Sequence, residues 1–108
     1  MQKISQETQE KIQQLQIFEQ NYQQLLLQKQ AFQFELNETN NAIEELKKTK
    51  NEVYKLLGQI MIISSKEQIE KELKEKKEIL SLRIKSVEKQ EFQLKEEIEK
   101  LRKEVMKE

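Results

Sequence analysis

Apolar residues along this chain recur in alternating steps of four and three, in two long runs with a single interruption. The first run occupies Ile4, Thr8, Lys11, Leu15, Phe18, Tyr22, Leu25, Lys29, Phe32, Leu36, Thr39, Ile43 and Leu46, nine of thirteen positions being apolar. The second occupies Leu73, Lys77, Leu80, Ile84, Val87, Glu91, Leu94, Ile98, Leu101 and Val105, with eight of ten apolar. A mean spacing of ~3.5 residues draws one narrow stripe along an α-helix, and a run sustained beyond three or four heptads signals a coiled coil. Such a helix buries its stripe and leaves the rest to water. This explains how a chain of 108 residues can be 37% charged and only 35% hydrophobic yet folded. One Gly, no Pro and an abundance of Glu, Lys, Gln, Leu and Ile favour long helices over a flexible chain.

The interruption has a different character. Residues 53–65 read VYKLLGQIMIISS, rich in β-branched and aromatic side chains, with the chain's only glycine between two apolar runs. Gly58-Gln59 is the two-residue turn of a β-hairpin, because Gly adopts positive φ without a Cβ clash. An uninterrupted helix is the competing description, since Gly inside a helix costs only ~1 kcal/mol. Against it, Ser64 followed three residues later by Glu67 forms a capping box and marks a fresh helix start. The expected plan is one domain over residues 1–108: a helix over about 5–50, a hairpin over about 53–63 and a helix over about 66–107. Each helix would span on the order of 70 Å at 1.5 Å per residue. Helices of matched length joined by a compact connector fold back antiparallel. Ile4 and Leu15 then lie near Val105 and Leu101 at the open end, and Leu46 lies near Leu73 at the hairpin end.

A lone two-stranded hairpin is marginal in water. Here Val53, Tyr54, Leu56, Leu57, Ile60, Met61, Ile62 and Ile63 flank Gly58, so apolar side chains project from both faces. The unpaired edges invite another chain, and two narrow helices cannot cover them. These nine residues are the candidate oligomerisation site, pairing with other subunits into a shared sheet or barrel. Lys11, Lys29, Lys77 and Glu91, polar residues on the seams, are expected to fix register and orientation, their long side chains snorkelling outward.

Several chemistries lack their residues. There is no Cys and no His, so thiolate and imidazole catalysis are excluded along with the metal sites built from those ligands. No cofactor and no metal are expected. Twenty basic residues balance twenty acidic ones, all of them Glu, so no net basic surface draws nucleic acid. The densest basic spots, Lys47, Lys48 and Lys50 and the Lys74–Lys77 stretch, are diluted by neighbouring Glu. Adjacent carboxylates such as Glu44-Glu45 and Glu96-Glu97 point in different directions on a helix and form no catalytic pair. There is no phosphate-binding glycine loop. No apolar run reaches the ~18 residues needed to span a bilayer and no signal peptide is visible, so a cytoplasmic location is expected. Asn37-Glu38-Thr39 matches a glycosylation acceptor by accident of its helical setting.

The local sequence resembles the prefoldin family, and one hairpin per chain resembles its β class, archaeal or eukaryotic. The matching residues are Asn37-Glu38-Thr39, Ala42 and Glu44-Glu45-Leu46 before the hairpin, Val53-Tyr54-Lys55, Gly58 and Ile60-Met61-Ile62 within it, and Leu82-Arg83 and Glu88-Lys89-Gln90-Glu91 after it. Heptads match any coiled coil cheaply; the Val-Tyr-Lys…Gly…Ile-Met-Ile stretch between two helices is the specific part. The unbroken Ile60–Ile63 run departs from a simple alternation and hides which face of the hairpin turns inward. Twelve Gln among residues 1–33 are a second peculiarity.

The resemblance implies a mainly α chain whose central hairpin joins an intersubunit β-barrel in a hexamer of two α-class and four β-class subunits. It implies an ATP-independent chaperone that captures unfolded client proteins at the coiled-coil tips and passes them to a group II chaperonin. The candidate tip residues are Ile4, Ile12, Leu15, Ile17, Phe92, Ile98, Leu101, Val105 and Met106; Ile12, Ile17, Phe92 and Met106 fall off the seam, where they either pack at its flanks or grip clients. A structural scaffold or tether without chaperone activity is the alternative, and a helical adaptor for one partner is a third. The antiparallel topology predicts that cysteines placed at Ile4 and Val105 cross-link within one chain. Cross-links formed only between chains would overturn it.

Overall fold

The computed structural model describes residues 5–50 and 52–107. The first helix, α1 (Gln6–Lys48), starts where Ser5 caps it. Ser5 Oγ accepts a 3.1 Å hydrogen bond from the Thr8 backbone N–H and lies 2.8 Å from Thr8 Oγ1. One serine thereby satisfies an orphan donor of the first turn and the hydroxyl of buried Thr8. At the other end Lys47 and Lys48 complement the negative pole of the helix dipole. Lys66 Nζ, arriving from the next helix, donates to the carbonyls of Lys47 at 3.4 Å and Thr49 at 3.3 Å. The C-terminus of α1 is thus closed by the start of its partner.

Strands β1 (Val53–Leu57) and β2 (Ile60–Ser64) pair antiparallel in register Val53↔Ser64 through Leu57↔Ile60. Gly58 takes φ +62°, and no described residue other than glycine has positive φ. Positive φ at the first central position alone is the pattern of a type II′ turn, whose twist matches the strands. A Cβ at Gly58 would meet no atom within 4 Å. Glycine is therefore required by the backbone conformation and not by crowding.

The second helix, α2 (Lys66–Met106), corrects one expectation. Ser64 does not cap it; Ser65 does, its Oγ accepting from the Gln68 N–H at 3.1 Å. Ser64 is held in the ladder opposite Val53, so its backbone stays extended and the helix starts one residue later. Glu67 consequently does not occupy the N3 position, and the amide of Gln68, which does, reaches forward to Glu72 at 3.4 Å.

The chain divides into two compact units. In the unit Ala31–Ile84, Ile43, Leu46, Leu80 and Ile84 are buried, Leu80 at 2% exposure, together with Thr39. Thr39 Oγ1 donates to the Glu35 carbonyl at 2.8 Å, which lets a hydroxyl sit in the seam without an unmet hydrogen bond. The Arg83 guanidinium lies 5.8 Å from the centroid of the Phe32 ring, close enough for a cation–π contact. In the unit Met1–Gln30 with Lys85–Glu108, Val87 and Ile98 are buried. Leu15, Phe18, Tyr22, Leu25, Leu94, Leu101 and Val105 are half-buried around them. Ion pairs join Lys11 to Glu104 at 3.8 Å, Glu19 to Arg102 at 2.7 Å and Lys29 to Glu91 at 3.5 Å. Rising numbers on α1 meet falling numbers on α2, so the helices run antiparallel, as expected.

Every described seam position of α1 is sheltered, and all but one of α2 are. The exception is Lys77, expected on the seam but exposed. Its long side chain escapes to water at little cost. Because Ser65 and not Ser64 holds the cap, Ser65→Ala is expected to lower the unfolding free energy by about 1 kcal/mol. Ser64→Ala should cost well under that, and chemical denaturation followed by circular dichroism measures both. Equal losses would mean that the cap contributes nothing distinctive.

Candidate functional site

Alternation along the hairpin sorts its side chains onto two faces. Val53, Lys55 and Leu57 share one face with Ile60, Ile62 and Ser64, while Tyr54 and Leu56 share the other with Met61 and Ile63. The first face is partly covered by its own chain. Val53 and Ser64 are half-buried, and Lys55 Nζ lies 2.9 Å from Glu72 Oε2 on α2. The second has no charged residue within the strands, although the Tyr54 hydroxyl donates to Glu52 Oε2 just before β1 at 3.1 Å, and it is largely open: Tyr54, Leu56, Met61 and Ile63 are all at least half exposed. Leu57, Ile60 and Ile62, toward the turn on the first face, are exposed as well. This concentration of apolar surface around one turn exceeds the scattered exposure normal for a folded surface.

Glu72 anchors the hairpin to α2. The hydrogen bond from the Lys55 ammonium, with a second from the Gln68 amide, holds the Glu72 carboxyl below its usual 4.5. Glu70, one turn earlier than Lys74, is likewise lowered, chiefly by its hydrogen bond from Lys74. Both pairs are solvent-exposed and stabilise little; the Lys55–Glu72 pair, which alone of the two joins hairpin to helix, acts mainly to orient the hairpin.

The tip candidates are placed variously. Ile4 lies outside the described residues. Ile98 is buried between the helices, Ile12, Leu15, Leu101 and Val105 are half-buried, and Ile17, Phe92 and Met106 are exposed, Met106 at 85%. Among the polar seam residues, Lys29 and Glu91 face each other with only 28% and 12% of their side chains exposed, and Glu91 Oε1 is buried without a hydrogen-bond partner. Leu27 and Phe34 on α1, and Ile79 and Leu82 on α2, are exposed apolar residues that lie off the seam. Their signal was present in the spacing: Leu27 and Phe34, seven apart, and Leu82 all fall at heptad positions facing away from the seam. Among the described residues no group of three His, Cys, Asp or Glu side chains could hold a metal ion. No described helix is long and apolar enough to cross a membrane.

Comparison with known proteins decides what this arrangement is. The sequence model of the prefoldin subunit family matches residues 6–108. The chain belongs to the prefoldin family. It is 36% identical over 103 residues to the prefoldin subunit beta of Pyrococcus furiosus, covering 94% of this chain and 88% of that one. To the prefoldin subunit beta of Methanospirillum hungatei it is 38% identical over 107 residues, covering 97% and 89%. Its fold matches the crystal structure of the prefoldin beta subunit from Thermococcus strain KS-1 with a TM-score of 0.90 and 33% identity, over 99% of this chain and 96% of that one. The likeness is to the β class, as the residue pattern suggested. Prefoldin β subunits are chaperone subunits that work in oligomeric complexes, and the bare hairpin is the part of this chain that a solitary subunit leaves unsatisfied.

The Lys55–Glu72 link makes a pH-dependent contribution. The folded state favours ionised Glu72, so this contribution is present above the usual carboxylate range and disappears as pH falls through the lowered folded value. The stability difference between the native sequence and Glu72→Gln should therefore be largest near pH ~7 and shrink toward pH ~3. A difference independent of pH in denaturation curves would deny the ion pair any part in it.

Proposed function

We propose that this chain is the β-class subunit of a cytoplasmic prefoldin hexamer, four copies assembling with two α-class subunits through hairpins joined into barrels. Residues 1–108 form one prefoldin-type domain in this scheme. The assembly holds non-native polypeptides at the ends of its coiled coils, without ATP and without enzymatic chemistry, and passes them to a group II chaperonin. The observation that carries this is the bare apolar hairpin, Tyr54, Leu56, Met61 and Ile63 above all, in a chain of the prefoldin family.

Client binding is assigned to the open end: Ile4, Ile12, Leu15, Ile17, Phe92, Ile98, Leu101, Val105 and Met106. Exposed Ile17 and Met106 support it directly, being apolar surface with no partner in the chain's own seam, while exposed Phe92 lies further in, beside the Lys29–Glu91 pair. Half-buried Leu15, Leu101 and Val105, and buried Ile98, would join when the helix ends fray. Each contact is weak, but several subunits closing on one client raise the effective affinity without any new kind of contact.

A scaffold component lacking chaperone activity would assemble in the same way and bind no unfolded protein. The purified assembly is expected to suppress aggregation of an unrelated denatured protein without ATP. Removing residues 1–12 together with 99–108 takes away Ile4, Ile12, Leu101, Val105 and Met106, and should sharply weaken that protection while leaving the assembly's mass, corrected for the deletion, unchanged in subunit number. Full protection by the truncated assembly would move the client site to the cavity or the barrel; no protection by the intact one would favour the scaffold.

A further inference from the structure

The side chains that flank the seam do not match on its two sides. On one side, within the unit Met1–Gln30 with Lys85–Glu108, the helices border an open groove of about 820 Å³. Tyr22 and Ile98 of the seam line it, and its walls follow the seam's own alternation of four and three, one position over. Along α1 the wall runs through Gln16, Glu19 and Gln23, and along α2 through Lys95, Glu99 and Arg102. The same steps carried one turn further in each direction reach Ile12 and Leu26 on α1, and Met106 and Phe92 on α2. The Lys11–Glu104 contact sets Ile12 and Met106 at one end, and the Lys29–Glu91 contact sets Leu26 and Phe92 at the other. Each end is thus flanked by an apolar residue from each helix, Ile12 and Leu26 half-buried, Phe92 and Met106 exposed. The opposite side lacks such ends: the wall of α2 there, Gln90, Gln93, Glu97 and Lys100, has no apolar residue.

We infer that this groove binds an extended, uncharged polypeptide segment that carries one large apolar side chain at each end. The inference rests on the chaperone reading above and names the kind of segment that is held. From Ile12 to Leu26 is fourteen residues, ~21 Å along a helix at 1.5 Å per residue. An extended chain covers that distance in about six residues at ~3.3 Å each, and an even spacing turns both anchors to one face of the segment. The walls suit what lies between the anchors. Gln16, Gln20 and Gln23 have no hydrogen-bond partner among the described residues, and a carboxamide both donates and accepts. Extended backbone brings unpaired N–H and C=O groups that need such partners, whereas a helical segment satisfies its own. Two acids, Glu19 and Glu99, balance two bases, Lys95 and Arg102, so the groove selects for no charge. At one end the unbranched Met106 adapts to anchors of different shape. The glutamine-rich stretch of α1 thereby gains a role that the seam does not give it.

Phe92 and Leu27 allow a matched test, since they are 64% and 65% exposed, Phe92 at the groove and Leu27 facing away from the seam. The probe is a fluorescently labelled, uncharged peptide with two leucines about six residues apart, titrated against the full chain in its native assembly and followed by anisotropy. Phe92→Ser is expected to weaken binding several-fold and Leu27→Ser to leave it unchanged, both retaining helical circular dichroism. A peptide whose leucines stand one residue closer presents them on opposite faces and should bind several-fold more weakly. Methylating the peptide nitrogens between the leucines should weaken binding to the native chain, and make no further difference once Gln16, Gln20 and Gln23 are replaced by alanine. Equal effects of Phe92→Ser and Leu27→Ser, or indifference to the leucine spacing, would overturn the groove even in an assembly that suppresses aggregation. Tighter binding of a helix-stabilised peptide would overturn the extended form of the ligand. An assembly that neither binds peptide nor suppresses aggregation would overturn the chaperone reading itself.

Discussion

Burial in this protein is confined to one stripe per helix, and that constraint shapes everything else. Two helices sharing a seam can shelter a single row of side chains each, so among the described residues the deeply buried apolar side chains are Ile43, Leu46, Leu80, Ile84, Val87 and Ile98. At ~1.5–3 kcal/mol for each large apolar side chain fully removed from water, this is a thin source of stability. Nothing is left over to cover a hairpin. The uncovered sheet is therefore the direct outcome of building a chain almost entirely from a two-helix seam, and a requirement for partners is inherent in the architecture.

The details at the junction serve the same end. Ser65 starts α2 immediately after the ladder ends at Ser64, and Lys66 turns back onto the final carbonyls of α1. Lys55 then reaches Glu72. These three devices set the hairpin's direction relative to the helices it grows from, although each is weak and partly in water. Their effect is on orientation more than on strength.

Much of this was legible in the sequence for identifiable reasons. A long heptad pattern admits few interpretations, so the helices and their antiparallel return could be read directly, and Gly58 located the turn because only the backbone at φ +62° demanded it. The cap was misplaced by one residue because Ser64 and Ser65 are followed, three positions on, by Glu67 and Gln68 respectively; local chemistry fits both, and the strand pairing of Ser64 decides. Lys77 kept the period but not the burial, since a long side chain obeys spacing without obeying shelter. The face of the hairpin was hidden because four apolar residues in a row, Ile60 to Ile63, erase the alternation that would reveal it, and only the register recovers it. Leu27 and Phe34 escaped notice because attention to a seam passes over what lies opposite it.

The Lys29–Glu91 pair has a further consequence. Heptad seams are nearly periodic, and a hairpin of two such helices could slide by seven residues with most apolar contacts restored. Sliding one way would set Lys29 against Ile98, and sliding the other way would set Glu91 against Tyr22. Either sets both charges against apolar side chains in a half-buried seam and separates each from its partner. With Glu91 Oε1 already lacking a partner, the pair contributes little as an attraction. It acts instead as a vernier mark, by which two otherwise repetitive helices count their way to one alignment.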